Sequence, residues 1–561
     1  MTRSGEPSEQ AGGTAGSGRG AGLPAGLPAG EDGGPGHAGA GHADVEDPAA
    51  GSSGAGPAGA GRPDPEHLDV VIVGAGLSGV GAGYRVQSEC PGKSYAILES
   101  RDAIGGTWDL FRYPGVRSDS DMYTLGYPFR PWRDDTSLAD GDVILRYIRD
   151  TAREYGIDRR IRYRTKVVAA DWSSRHARWT LTCDVRDPDG TTRTSVLTCS
   201  FLYTCAGYYD YRAGHAPAFP GTDDFAGTLV HPQFWPGDLD YTGRRVVVVG
   251  SGATAVTLVP ALARRASHVT MLQRSPTWIS PLPSRDRVAA AVRRVLPPGA
   301  AHSVVRTKNI LFTLGFYQFC RRSPRAARKL LTGLAARTLG DRQTVEDHFT
   351  PAYDPWDQRL CAIPDADLFR VLRSGRADVV TDRVDTFVPE GIRLASGKVL
   401  EADVVVTATG LSLLAFGGME LAVDGQPFDV AQSWIYRGAM LSGLPNFAAC
   451  VGYSNASWTL RADLSSRLVC KVINHLDRNG YAAAVPRPDA GMVQRPLLDL
   501  SSGYIQRSIA RFPKQGSRRP WTVPQNYLVD AATTLRGDLG EHLELLPPPP
   551  PAAVPRARTG G

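Results

Sequence analysis

The chain has 561 residues, of which 42% are hydrophobic and 21% are charged, and its formal net charge is +6 at pH 7. This length exceeds what one hydrophobic core serves and predicts two or three domains. The small basic excess is spread along the chain rather than gathered in a stripe, which disfavours a nucleic-acid partner. No run reaches the roughly 18–20 apolar residues of a membrane span, and the N-terminus lacks the apolar core of a signal peptide.

Eight cysteines are scattered along the chain without a CxxC pair or the spacing of a metal site. This pattern indicates a reducing compartment and no disulfide framework, so we expect a cytoplasmic protein without a metal. It also disfavours a pyridine nucleotide–disulfide reductase, which needs two close redox cysteines beside its flavin. The cysteines are Cys90, Cys183, Cys199, Cys205, Cys320, Cys361, Cys450 and Cys470.

Both ends of the chain have the composition of tails. Residues 1–66 are rich in Gly, Ala and Pro and contain too little apolar surface to offset the entropy of ordering, so we predict that they are disordered. Residues 546–561 are rich in proline and form a second predicted tail, extended where the prolines run together.

The ordered part opens with a predicted buried strand, a glycine-rich turn and a helix. In the turn Gly74-Ala-Gly76-Leu-Ser-Gly79, the first glycine allows the tight bend and the second lets the backbone approach a pyrophosphate. The third permits close packing of the helix on the strand, and the helix N-terminus favours the anion. Glu99 ends the next strand, where it can bind ribose hydroxyls and repel a 2′-phosphate. This first site therefore predicts FAD or NAD(H) rather than NADP(H).

A loop rich in glycine and aromatic residues follows Glu99. Gly106, Thr107 and Trp108 belong to the run GGTW, in which paired glycines can pass close to a flavin ring and the indole offers an aromatic face. The run from Arg112 to Asp119 comes next. An alternative interpretation is a rigid Pro/Gly loop whose aromatic residues are core. Residues 163–204 then alternate in polarity, which predicts a small antiparallel layer.

A second glycine-rich turn follows another buried valine strand. In Gly250-Ser-Gly252-Ala-Thr-Ala255 alanine replaces the third glycine, which such turns tolerate. No acid follows at the end of the next strand, where Arg274 is placed to form a forked contact with a 2′-phosphate. Ser275 can share this contact. The second site therefore predicts NADPH rather than NADH, although a solvated surface arginine is the alternative for Arg274.

The remaining segments complete a discontinuous α/β fold. Residues from about 285 to 345 are rich in arginine and helix-forming residues and predict a helical insert. We therefore expect two Rossmann-like dinucleotide-binding domains with a helical insert. The predicted boundaries are 67–212 for the first part of the FAD-binding domain, 213–393 for the NADP-binding domain with its insert, and 394–545 for the second part of the FAD-binding domain.

The two turns are separated by a run that fits the pattern F-x-G-x-x-x-H-x-x-x-W. Its members are Phe225, Gly227, His231 and Trp235. This run resembles the fingerprint of Baeyer–Villiger monooxygenases, and the resemblance extends over roughly residues 68–540. A histidine in an interdomain linker is more often a hydrogen-bonded hinge than a catalytic base, so we expect His231 to couple cofactor binding to domain movement. Trp235 is expected to be a packing anchor.

Three further runs resemble one branch of this family, which includes the mycobacterial thioamide-prodrug-activating monooxygenase. They are residues 117–124, 354–361 and 452–460. The resemblance implies FAD and NADPH as cofactors, O2 as co-substrate and a ketone as small-molecule substrate. It further implies that a flavin C4a-peroxide inserts one oxygen atom into the ketone to give an ester or lactone.

The resemblance also implies a catalytic pair. Arg359 occupies the family's active-site arginine position, and Asp119 matches the acid that positions this arginine. A cation beside the reacting oxygen would stabilise the negative charge of the adduct. Many relatives have Lys-Arg where this chain has Gln358-Arg359, which puts one of the family's contacts to NADP in doubt.

Two other functions remain open on the sequence. An S- or N-oxygenating flavin monooxygenase without ketone activity would use the same cofactors. An NADPH oxidase or a redox-sensing flavoprotein belongs to a different class, and loss of Arg359, His231 or the second turn would have indicated it.

Overall fold

Runs of buried valine and isoleucine form the central strands of two sheets. The computed structural model describes residues 64–498 and 500–550. The strand Glu66–Val73 lies inside the first sheet and the strand Arg245–Val249 inside the second, each with a parallel neighbour on both sides. Strands buried on both faces have continuous apolar sequences rather than alternating ones, which is why these two could be predicted.

The first sheet combines parallel and antiparallel strands. Glu66–Val73 pairs in parallel with Tyr95–Leu98 and with the end of Thr192–Thr204, whose first half is antiparallel to its other neighbour. Within the described residues, the strand order is Gln426–Pro427, Glu420–Val423, Thr165–Ser173, Arg178–Arg186, Thr192–Thr204, Glu66–Val73, Tyr95–Leu98 and Ile161–Arg162. A branch on Thr192–Thr204 adds Phe447–Ala449, Met440–Leu441 and Ile435–Tyr436.

The antiparallel layer predicted for residues 163–204 is present. Trp172 and Trp179 lie directly opposite each other on neighbouring strands, and their rings meet edge to face with centroids 5.7 Å apart. Both indoles are buried, and the indole nitrogen of Trp179 donates to the carbonyl oxygen of Pro445 at 3.0 Å. The pair therefore joins this layer to the C-terminal part of the chain.

The second sheet is parallel throughout. Its strand order is Ala377–Thr381, His268–Gln273, Arg245–Val249, Val404–Thr407 and Thr228–Val230. The predicted boundary at residue 394 is therefore wrong, because Val404–Thr407 belongs to this sheet and not to the first. The chain completes the second sheet with this strand and returns towards the first sheet through Leu411–Leu413, which pairs with Tyr209–Gly214.

Helices cover both sheets and form the insert. We call the first sheet with its helices the first unit and the second sheet with its helices the second unit. The main helices of the first unit are Leu77–Glu89, Gly141–Glu154, Trp458–Asn479 and Tyr527–Arg536, with short helices at Thr107–Leu110, Met122–Leu125 and Gly503–Gln506. The second unit contains Ala253–Leu262 and Asp367–Arg373. The insert consists of Arg287–Val295, Pro298–Arg322, Pro324–Leu339 and Arg342–His348, so the helical insert of the sequence prediction is present.

Small sheets connect the remaining segments. Three two-stranded sheets pair Ile279–Leu282 with Cys361–Pro364, Ala483–Pro486 with Leu543–Leu546, and Arg495–Pro496 with Lys514–Gln515. In a three-stranded sheet, Gly391–Leu394 lies between Val384–Val388 and Val399–Glu401. Two predicted tail boundaries need correction, because Glu66 already begins a strand and Leu546 still ends one. The rest of the predicted tails, residues 1–63 and 551–561, lies outside the described residues.

Close packing at the first glycine-rich turn leaves no room for a side chain at Gly79. A Cβ atom at this position would overlap the carbonyl oxygen of Gly74. Gly79 itself is buried on the helix Leu77–Glu89. The third glycine of the motif therefore fixes how near this helix lies to the strand before it.

We expect Gly79→Ala to destabilise the protein by about 1–3 kcal/mol, because overpacking forces the helix away from the strand. The measurement is thermal unfolding together with the FAD content of the purified protein. Gly237→Ala is the matched control, since a Cβ there meets no atom within 4 Å. An equal melting temperature for Gly79→Ala and the wild type would contradict the packing argument.

Candidate functional site

One cavity of about 1180 Å³ lies where the carboxyl ends of both central strands meet. A single small-molecule site usually has roughly 300–1,000 Å³, so this cavity has room for more than one ligand. Such crevices at the carboxyl ends of parallel strands are where α/β folds bind their ligands. Twelve of the predicted site residues line it: Gly74, Gly76, Glu99, Gly106, Thr107, Trp108, Asp119, Gly250, Gly252, Arg274, Ser275 and Arg359.

Two helices begin at this cavity without a side-chain cap. Gly76 precedes the helix Leu77–Glu89 and Gly252 precedes the helix Ala253–Leu262, and neither first turn contains an acidic residue. The first amide groups of both helices therefore have no side-chain acceptor and carry the positive end of the helix dipole. Pyrophosphate groups bind at such positions. A Cβ at Gly252 would meet no atom within 4 Å, which leaves open space against this turn.

Glu99 is held at the first turn by backbone donors. Its Oε2 atom accepts from the amide of Ala75 at 2.7 Å, and its Oε1 atom accepts from the amide of Arg101 at 2.9 Å. Burial raises the pKa of this carboxyl group, and the two amides partly offset the effect. The carboxylate is thus fixed at the strand end that faces the cavity, in the position expected for a ribose contact.

The loop after the GGTW run is docked on the second unit. Gly115 has a φ of +77°, and a Cβ on it would approach Cβ of Ala261 to 2.7 Å. Arg117 forms a forked ion pair with Asp367, with Nη1–Oδ2 and Nη2–Oδ1 distances of 2.5 and 3.3 Å. Tyr113 is buried against the same unit. The loop therefore joins both units at the edge of the cavity.

The second turn accommodates alanine at the position of the third glycine. Ala255 is fully buried and does not line the cavity, as is also true of Gly79 in the first turn.

Arg274 is exposed in the cavity, and its side chain forms no hydrogen bond or ion pair within the described residues. The backbone oxygen of Ser275 accepts from Ser251 Oγ at 3.0 Å, which fixes the loop between them.

Arg383 is a second free guanidinium beside Arg274 that the sequence analysis missed. The strands Ala377–Thr381 and His268–Gln273 pair in parallel with Gln273 opposite Thr381, so both arginines follow neighbouring strand ends. Arg383 also lines the cavity, is exposed, and its side chain has no ion pair or hydrogen bond in the described part of the chain. Only the strand register brings the two arginines together, and a single sequence does not give that register.

Arg359 lies among phenol groups deeper in the cavity. Its Nη2 atom donates to Tyr208 Oη at 3.3 Å, and its buried Nε atom has no partner within the described residues. Tyr208 in turn contacts Tyr209, with the two hydroxyl oxygens 3.2 Å apart. The pKa of Arg359 is raised above its ordinary value, chiefly by Tyr208 and then by Tyr504, against the effect of burial. The group therefore stays cationic at every accessible pH.

Asp119 does not form the predicted direct pair with Arg359. Both residues line the cavity, but no nitrogen–oxygen distance between them is within 4.0 Å in the described structure. The carboxylate of Asp119 is exposed and acts on Arg359 only as a minor, more distant charge. The contact that the resemblance implied is replaced here by the hydroxyl group of Tyr208.

The linker residues lie outside the cavity. The Nδ1 atom of His231 accepts from the amide of Gln233 at 3.2 Å, and burial lowers the pKa of its ring. A Cβ at Gly214 would overlap this ring, so His231 packs directly on the ribbon that connects the two units. Phe225 packs on Phe387, and the ring of Trp235 on that of Tyr241, with centroids 5.8 and 6.2 Å apart.

The C-terminal part of the chain contributes further side chains to the cavity and its surroundings. Tyr504 and Arg507 line the cavity from the segment that follows the short strand Arg495–Pro496. Trp458 packs on Tyr208, with ring centroids 5.2 Å apart, and donates to Ser78 Oγ at 2.8 Å. No local motif marks Tyr504 or Arg507, since their position depends on the return of the chain to the first unit, whereas Trp458 belongs to the run 452–460 of the sequence analysis.

No group of three or more His, Cys, Asp or Glu side chains in residues 64–498 and 500–550 is arranged to hold a metal ion. Over the same residues, no helix combines the length and the apolar character that crossing a membrane requires.

The chain is similar to known flavin monooxygenases over most of its length. Residues 68–286 match the flavin-binding monooxygenase-like family. The FAD-containing monooxygenase EthA of Mycobacterium tuberculosis is 52% identical over 478 residues, which are 85% of this chain and 97% of that protein. The probable FAD-binding monooxygenase AlmA of Acinetobacter baylyi is 44% identical over 454 residues, 80% of this chain and 90% of that protein.

A solved structure shows the same fold. An oxidised steroid monooxygenase bound to NADP superposes with a TM-score of 0.66 at 22% identity, covering 86% of this chain and 99% of that chain. Fold and cavity thus define a flavoenzyme with separate FAD- and NADP-binding units. The chain belongs to the FAD-containing, class B flavin monooxygenases, in the branch of EthA. It is a FAD- and NADPH-dependent monooxygenase, so the expected family, fold and cofactors are confirmed.

Proposed function

We propose that the enzyme is a Baeyer–Villiger monooxygenase that converts a ketone into an ester or lactone. The observation that carries this proposal is the permanently cationic Arg359, held by the hydroxyl group of Tyr208 inside the cavity that both glycine-rich turns line. Bound FAD, once reduced by NADPH, supplies the electrons that activate O2. The protein contributes fixed positive charge where oxygen becomes negative during the attack on a carbonyl group.

Arg359 is well suited to this role because, among the described residues, no carboxylate neutralises it at contact distance. Its Nε atom is left without a partner in the described structure, while Tyr208 fixes one end of the guanidinium. A donor that is positioned before the reaction stabilises a developing oxyanion without reorganisation. We propose that the carboxylate of Asp119 acts on the Arg359 guanidinium only at a distance, by partly offsetting its positive charge.

Several further roles belong to the same proposal. Glu99 binds the FAD ribose, while Gly74, Gly76 and the GGTW loop lie along the FAD. Arg274 and Ser275 bind the 2′-phosphate of NADPH, and Arg383 supplies the second cation where relatives carry the lysine that Gln358 replaces. The position of His231 on the connecting ribbon supports a hinge role, and because its side chain is not part of the cavity lining, general-base catalysis is disfavoured.

Oxygenation of sulfur or nitrogen is the second candidate function. The similarity to the EthA branch, which the sequence resemblance connects with thioamide activation, favours it. A soft heteroatom attacks the distal oxygen and needs no cation at a carbonyl group. The two candidates therefore differ in how strongly they depend on Arg359.

The proposed function predicts ester formation from ketones. The holoenzyme is incubated with NADPH and ¹⁸O2 and with a cyclic ketone, a linear 2-ketone or an aryl methyl sulfide, and the products are analysed by mass spectrometry. We expect an ester or lactone with one labelled oxygen atom per NADPH consumed. Sulfoxide without any ester would establish the second candidate, and stoichiometric hydrogen peroxide with every substrate would contradict both.

Arg359→Ala should separate the two half-reactions. We expect anaerobic reduction of FAD by NADPH to be retained and ketone oxygenation to fall by about 100–1,000-fold, as when one oxyanion donor is removed. Stopped-flow absorbance measures reduction, and product analysis measures oxygenation. Arg175→Ala, at an exposed surface position, is the matched control. Normal ester yield from Arg359→Ala would remove this residue from the mechanism.

Arg274→Ala and Arg383→Ala should each raise KM for NADPH by about 10–100-fold, the effect of one hydrogen bond to a charged group. KM for NADH should not change, because NADH lacks the 2′-phosphate. Steady-state NAD(P)H oxidation measures both constants. Arg393→Ala is the control on the neighbouring hairpin, where the arginine is paired with Asp385 at 3.2 Å. An equal loss with NADH would indicate a structural effect instead.

A further inference from the structure

Positive charge is concentrated in the helical insert, in contrast to the even distribution expected from the whole sequence. Residues 285–337 contain twelve Arg and Lys side chains and a single acidic residue, Asp286, a net charge of +11. The whole chain carries +6, so the rest of the chain is net negative. The insert is therefore a basic segment on an otherwise mildly acidic protein.

Bulky apolar side chains are exposed on the same segment. Of the seventeen large hydrophobic residues exposed in the described structure, eight lie in this insert. They are Val288, Val295, Leu296, Val304, Leu311, Phe312, Leu330 and Leu334. Scattered single residues of this kind are normal on a protein surface, whereas a local concentration marks an interaction site.

The helix Pro324–Leu339 combines both properties on one face. Arg325, Lys329 and Arg337 repeat at multiples of four residues, and Leu330 and Leu334 occupy the adjoining row. All five side chains are exposed. The opposite row is buried and consists of Ala327, Leu331, Ala335 and Leu339.

Three cations on the exposed face of this helix have no partner of opposite charge among the described residues, whereas its fourth cation, Arg328, pairs with Asp354 at 2.7 Å. The helix contains no acidic residue, and Arg325, Lys329 and Arg337 form no ion pair or side-chain hydrogen bond within residues 64–498 and 500–550. Where a solvated helix face is only structural, acidic and basic residues commonly alternate on it. A row of single sign beside leucines is instead complementary to an anionic surface with an apolar interior.

The preceding helix, Pro298–Arg322, presents a second apolar face. Val304, Leu311 and Phe312 are exposed, with Phe312 63% exposed and stacked near Phe316. Its opposite face is anchored, because Arg306 donates to the carbonyl oxygens of Tyr123 and Gly126 at 2.7 and 2.8 Å. The exposed face is therefore held outward by a fixed helix.

We propose that these two faces dock on the surface of an anionic lipid bilayer. The insert surface consists of Arg325, Lys329, Leu330, Leu334, Arg337, Val304, Leu311 and Phe312. Its leucine, valine and phenylalanine side chains enter the boundary between headgroups and acyl chains, and its cations contact the anionic headgroups. Nucleic acid would satisfy the cations but leave the apolar rows in water, so lipid accounts for both.

The insert also lies against the wall of the cavity. Ile310 of the same helix packs with Tyr453 and Leu460, and Tyr453 lines the cavity. Docking on a bilayer would therefore bring the membrane close to the wall of the active site, where an apolar substrate can partition from the lipid. The docking itself does not depend on which substrate is oxygenated.

The test uses the full-length holoenzyme and extruded vesicles of phosphatidylcholine, with or without phosphatidylglycerol. Flotation measures the bound fraction as a function of lipid concentration and salt. We expect binding to the anionic vesicles that weakens as salt rises. The triple substitution Arg325→Gln, Lys329→Gln and Arg337→Gln should lower the partition coefficient by about 100-fold, since each cation near the surface contributes roughly a factor of five.

A second variant tests the apolar part. Phe312→Ser with Leu330→Ser and Leu334→Ser should lower binding at every salt concentration, whereas the charge variant loses mainly the salt-dependent part. The control replaces Arg159, Arg175 and Arg178 by Gln, because these exposed arginines lie outside the insert. FAD content and melting temperature verify that each variant is folded.

Three results would overturn the proposal. They are equal binding of the charge variant and the control, equal binding to neutral and anionic vesicles, and no binding to any vesicle. A duplex oligonucleotide is measured in parallel by fluorescence anisotropy. Binding of the oligonucleotide that the charge variant loses, without vesicle binding, would assign the surface to nucleic acid instead.

Discussion

The structure depends on two helices that begin at one cavity with uncapped amide groups. Each helix follows a central parallel strand through a turn whose first glycine, Gly74 or Gly250, leaves no room for a side chain. The partial positive charge of both helix ends is thereby directed at the same volume. Two anionic dinucleotides can be held there only if the turns stay tight, so the glycine positions constrain the strands, the helices and the distance between the two units.

This constraint also explains which features the sequence could predict. A tight turn between a buried strand and a helix requires glycine at fixed spacing, so Gly74, Gly79 and Gly250 could be recognised in one sequence. The buried strands could be recognised for a similar reason, because burial on both faces requires continuous apolar runs. The position of Arg383 beside Arg274 depends on strand register, which no local pattern encodes.

The two main errors of prediction have the same origin in long-range geometry. The valine run Val404–Thr407 fits a central strand of either sheet, and only the pairing with Arg245–Val249 assigns it to the second. The expected contact between Arg359 and Asp119 came from resemblance, which transfers residue types but not distances. The phenol of Tyr208 takes that place because the chain returns through the connecting ribbon.

Two groups of cations in the described structure lack a carboxylate partner, and their surroundings indicate different ligands. In the cavity, Arg274, Arg383 and Arg359 have no carboxylate at contact distance among the described residues, and under the proposed function the bound dinucleotides and reacting oxygen atoms would supply the compensating charge. On the insert, the cations stand beside exposed leucines instead of glycine turns and phenols. A compact anion would leave those leucines in water, whereas a bilayer surface covers both. Under both proposals, the same side-chain chemistry serves cofactor binding where the backbone is close and membrane docking where apolar rows accompany it.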